Sequence, residues 1–199
     1  MKKIYLILFF TLLLTSSKLW GQEEFFHQRS GLTFAYMNGI KTDYTGGGLS
    51  FFHESGINFS FSTVNLPGNR ASQVSFGKFS REKEAISHEK YYFGVSYLIS
   101  QTNAVSLNNA FSYCFNPGRN FPTAITGNFN FNLYFTKNNS FYSGSSSNQT
   151  AVSWGIDVKQ AFWAKGQMFP FISVGYGSDS FTNESVYGLM TGLIIAVSK

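Results

Sequence analysis

The chain has 199 residues, of which 43% are apolar and 19% aromatic. Only 13% carry a formal charge, about half the usual quarter, and the net charge is +5. So much aromatic surface excludes a disordered chain, and the longest apolar run, residues 4–14, falls short of the roughly 20 residues that cross a bilayer as a helix. Polarity comes instead from neutral side chains, chiefly 26 Ser and 16 Asn.

Lys2 and Lys3 precede the apolar run, a polar stretch over 15–18 follows it, and Gly21 offers a small residue before Gln22. This three-part layout predicts a signal peptide over 1–21, then a short extension over 22–30 and one domain over 31–199. Cleavage removes Lys2, Lys3 and Lys18 and no acid, so the net charge falls from +5 to +2. Nothing remains of the basic patch that a nucleic-acid binder needs. Cys114 is the only cysteine, so the exported domain has no internal disulfide and Cys114 serves as a small apolar residue.

The rest of the chain alternates with period two. Strands are predicted over 31–38, 45–53, 57–65, 91–100, 104–115, 127–136, 150–163, 168–178 and 186–198, with a short one over 140–145. In 127–136, Phe129, Phe131, Leu133 and Phe135 oppose Asn128, Asn130 and Asn132, a pattern no helix produces. Ten strands result. Eight is the alternative, and failure of 140–145 or pairing of 73–80 changes the count and reverses the direction of the middle strands.

Alternation also suits a soluble β-sandwich. The polar face decides, because a sheet exposed to water carries Lys and Glu that guard its edges. Here that face is Asn, Ser, Gly and Ala. In these strands the formal charges are Asp157 and Lys159, opposite Val152, Trp154, Ile156 and Val158. An all-β, antiparallel, up-and-down transmembrane barrel has this inverted layout, apolar outward and small polar inward. Turns at 54–56, 101–103, 137–139 and 165–167 are tight, and the opposite connections come out as 39–44, 66–90, 116–126, 146–149 and 179–185. Short turns at one end and longer loops at the other are expected of such a barrel.

Over residues 30–199 the chain resembles the small outer-membrane β-barrel proteins of Gram-negative bacteria. Gly192, Ile195 and Val197 look like the carboxy-terminal assembly signal of that family, although the chain ends in Ser198-Lys199 and not in an aromatic residue. The resemblance implies outer-membrane localisation, with outer-membrane lipid, lipopolysaccharide and the barrel-assembly machinery as partners.

Asn128, Asn130, Asn132, Asp157 and Lys159 are the expected lumen-lining set, an interior polar network and not a wide pore. Tyr36, Tyr91, Trp154, Tyr176 and Tyr187 are expected in aromatic girdles. The segment 66–90 holds 8 of the chain's 25 charges. Read as a long outer loop, it makes Arg70, Lys78, Arg81 and Lys83 binding candidates. His53 and Ser55 resemble the His-x-Ser pair of outer-membrane lipid A deacylases, but Gly56 stands where that family has Asn, so an interfacial turn is the preferred reading. Ser87-His88-Glu89 is a looser cluster. His27, His53 and His88 lack metal-ligand spacing, and no metal or cofactor is expected. The sequence therefore reads as a small non-enzymatic outer-membrane barrel for binding or envelope structure. A lipid-modifying hydrolase in the same membrane and a secreted soluble sandwich are the rivals.

Overall fold

The computed structural model describes residues 30–40, 44–66, 69–80, 88–100, 103–136, 147–179 and 185–197. The signal-peptide region and the strand expected over 140–145 lie outside them. The described residues form ten antiparallel strands: β1 (Ser30–Ile40), β2 (Thr45–Phe52), β3 (Ile57–Leu66), β4 (Asn69–Phe79), β5 (Glu89–Ile99), β6 (Asn103–Phe115), β7 (Thr123–Thr136), β8 (Ser147–Ala161), β9 (Met168–Asp179) and β10 (Ser185–Val197). Each pairs with its sequence neighbours, and β10 closes on β1 with Ser30 opposite Val197 and Ile40 opposite Tyr187. The result is one closed ring without a free sheet edge, not two packed sheets. Followed once around the ring, the registers are staggered by about twelve residues, the shear that tilts strands as membrane barrels require.

Polarity alternates through the wall. In β1, Thr33, Ala35 and Met37 are buried inside while Phe34 and Tyr36 stand exposed outside. In β3, Asn58, Ser60 and Ser62 are buried and Ile57, Phe59 and Phe61 are exposed. The ring is thus apolar on its outer face and turns its small polar side chains inward, and a one-residue slip of any strand would reverse this.

Ten strands are described, and one of them, β4, was not in the expected set, while the strand expected over 140–145 lies outside the described residues. Residues 66–90 are not one long loop, because β4 runs through 69–79 and pairs with both β3 and β5. Its outward positions, Arg70, Ser72, Val74, Phe76 and Lys78, hold only two apolar side chains, so the apolar alternation that marks the other strands is weak there. The extra strand reverses β5, β6 and β7 relative to the expected course. An even number of strands brings both chain ends to one end of the barrel, called here the terminal end. The strand ends joined by 53–56, 80–88, 116–122 and 162–167 lie there, and those joined by 41–44, 67–68, 100–102, 137–146 and 180–184 lie at the opposite end. The expected contrast of short terminal-end turns with long opposite loops is therefore not observed.

The 53–56 turn has a local cause. Gly56 N–H donates to the His53 carbonyl and His53 N–H to the Ile57 carbonyl, each at 2.8 Å, and Gly56 has φ +87°. Only glycine takes that conformation cheaply, and it closes the turn as a bulge. Inside the barrel, Tyr92 lies across Gly77 and Gly94, where a Cβ would overlap its ring. Those glycines make room for an aromatic side chain in a narrow lumen.

A polar lumen and a grooved outer wall

Three layers fill the lumen. At the terminal end Phe52, Phe79, Tyr92, Phe169, Phe171 and Ile194 are buried together. At the opposite end Leu98 and Tyr134 pack with Ala71, Ala104 and Ala151. Tyr44, just before β2, is buried, and its hydroxyl donates to the Tyr187 carbonyl at 3.4 Å. That burial pushes the Tyr44 phenol up, because the phenolate would lose its hydration.

Between these caps lies a belt of neutral polar side chains and one ion pair. Lys159 Nζ stands 3.6 Å from Asp157 Oδ2, and the two side chains are 0% and 1% exposed. Ser173 Oγ donates to the same Asp157 oxygen at 3.2 Å. Asn130 and Asn132 both donate through Nδ2 to Ser153 Oγ, at 3.2 and 3.1 Å. Gln73 Nε2 donates to Ser96 Oγ at 2.8 Å, and Ser112 and Thr126 share a hydrogen bond of 2.9 Å. Asn128 is buried beside Gly155, its partner across the β7–β8 ladder. All five expected lumen residues face inward and are buried. The sequence did not single out Gln73 or Ser96, because β4 entered only as the alternative pairing of 73–80 and the neutral partner on β5 carries no signal of its own.

Of the four loop candidates, Arg70 and Lys78 are exposed on β4, and Arg81 and Lys83 lie outside the described residues. Trp154, Tyr176 and Tyr187 form a contiguous aromatic patch on β8, β9 and β10, with ring separations of 5.5 and 4.9 Å. Tyr91 lies near the terminal end of β5, whereas Tyr36 sits at mid-wall. Phe121, Phe162 and Trp163 meet on the terminal-end connections.

His53 Nδ1 is 2.9 Å from Ser55 Oγ, so the expected pair is in contact. The same nitrogen also accepts the Ser55 backbone N–H at 3.2 Å. That second bond makes the pair a brace across the tight turn. His88 lies apart, with Nδ1 3.0 Å from the Cys114 carbonyl and its ring stacked on Tyr113.

The outer wall carries a groove of about 980 Å³ over β4 to β8. Its floor is the backbone of one hydrogen-bonded row, Phe79, Tyr92, Ala110, Asn128 and Gly155. Its flanks are outward positions: Lys78, Phe93, Asn109 and Phe129 in one paired row, Tyr91, Phe111 and Gly127 in the next. Gly127 opens it, since a Cβ built there would meet nothing within 4 Å. Sequence reasoning passed over Asn109 and Gly127, although each interrupts an otherwise apolar face, of β6 and of β7.

A closed barrel with a large apolar exterior and a polar interior defines a membrane-spanning protein of the small outer-membrane kind. Exposed apolar patches beyond a few hundred Å² are not tolerated in water, and here they encircle the molecule. No protein-family model matches the chain, and no curated protein matches it. In overall shape it is similar to the NanC porin, at a TM-score of 0.47 and 12% identity over 84% of this chain and 100% of that one. The KdgM porin, solved in complex with disordered oligogalacturonate, gives 0.46 and 11% over 84% and 99%. The N-terminal barrel domain of Pseudomonas aeruginosa OprF gives 0.39 and 14% over 84% and 98%.

Proposed function

We propose that the protein is a non-conducting, non-enzymatic barrel of the bacterial outer membrane, acting in binding or envelope structure through its outer wall and connections. The observation that carries this reading is the burial of the lumen. The polar belt from Asn58 to Ser173 is at most 6% exposed, and it lies between two apolar layers. Side chains fill the space a solute path would need, as expected of a narrow barrel.

The terminal end then faces the periplasm, which is where an exported chain leaves both of its ends. Binding surfaces facing outward are the connections at 41–44, 67–68, 100–102, 137–146 and 180–184. The connection 80–88, which retains much of the charge of the 66–90 segment, belongs to the periplasmic side in this orientation. Lipid-directed hydrolysis is the rival, and the doubly bonded His53 Nδ1 supports the structural role for the pair instead.

Reconstitution into a planar bilayer tests the reading. No stepwise conductance above the lipid background is expected. Stable single-channel steps with the wild-type protein would overturn it.

A further inference from the structure

The structure assigns the groove on the outer wall to one anionic glycerophospholipid. This rests on the membrane reading of the wall and adds a site to it. Lys78 is the penultimate residue of β4, on its outward face, close to the terminal end. It stands between Ile57 and Phe93, its partners on the flanking strands, and both are exposed apolar side chains. No carboxylate among the described residues pairs with it. A lysine on a lipid-facing wall is costly at mid-depth and less so toward the interface, where its stem carries the ammonium to the headgroups. A phosphate there supplies a counter-charge that the described residues do not.

The groove continues from Lys78 toward mid-wall, and its parts follow the chemistry of a lipid in order. Asn109 lies two strands away in the same paired row, roughly 10 Å at the spacing of neighbouring strands. An amide facing hydrocarbon without a partner is costly, and an ester carbonyl lies on the tail side of a lipid phosphate. Tyr91, Phe93, Phe111 and Phe129 form the walls, and Gly127 leaves a gap in the flank for an acyl chain. A cation at the rim, an amide further in and an apolar trough beyond match an anionic head, an ester and a tail.

Native mass spectrometry of the detergent-purified barrel, titrated with phosphatidylglycerol or phosphatidylcholine, tests the assignment. Wild type is expected to hold one phosphatidylglycerol. Gly127→Leu fills the groove from a position with open space around it, and is expected to bind roughly tenfold more weakly. Lys78→Gln is expected to lose about fivefold for phosphatidylglycerol and little for phosphatidylcholine. Mobility that changes on boiling checks that each variant is folded. Equal adducts in wild type and Gly127→Leu, with the barrel intact, would overturn the lipid site alone. A dimer that disappears in Gly127→Leu would overturn it in favour of a second copy of the chain. A protein soluble without detergent would remove the membrane reading itself.

Discussion

Replacing Val174 by Arg is expected to destabilise the barrel in lipid by about 2–4 kcal/mol. Val174 is 50% exposed on the outer face of β9, between Val158 and Leu189 on the flanking strands. On a soluble protein a half-exposed valine tolerates charge within about 0.5 kcal/mol. The cost here arises because the guanidinium must leave water for hydrocarbon. It also falls with depth, so Ile40→Arg, at the last residue of β1, is expected to cost no more than about 1 kcal/mol. Reversible urea unfolding in phospholipid vesicles measures both. Equal and negligible effects at the two positions would mean that the apolar face is not in lipid.

The second large effect lies inside. Asp157→Ala leaves the Lys159 ammonium in the buried belt without the carboxylate 3.6 Å away, and is expected to cost about 3–5 kcal/mol. Asp157→Leu combined with Lys159→Met is expected to recover most of that loss, because an apolar pair of similar volume carries no desolvation penalty. The same urea titration reads this comparison. A single variant as stable as wild type would show that water reaches Lys159 and that the belt is open.

Much of the wall was legible because its physics is periodic. Phe129, Phe131 and Phe135 against Asn128, Asn130 and Asn132 in β7 specify both a strand and its two faces, and the structure places each as expected. The barrel itself followed from what the polar face lacks, the lysines and glutamates of a wet sheet. β4 stood only as an alternative, the pairing of 73–80, for the opposite reason. Its outward face begins at Arg70 and ends at Lys78, and Phe79 points inward, so local composition resembled a charged loop while pairing to β3 and β5 determined the outcome. The expected strand at 140–145 offset that omission in the count, and strand direction in between was reversed as a result.

The candidate site divides along the same line. Asp157 and Lys159 stood out as charges on a neutral face, and they meet as an ion pair. The groove depends on five strands brought side by side, so no single segment announces it. Asn109 and Gly127 are separate interruptions in sequence that become neighbours only through the β6–β7 register.

The most direct measurement is membrane fractionation with electrophoresis in SDS, run with and without boiling. An outer-membrane protein whose mobility changes on boiling is the result expected of a closed, lipid-facing barrel. A protein recovered without detergent, with the same mobility in both lanes, would contradict it.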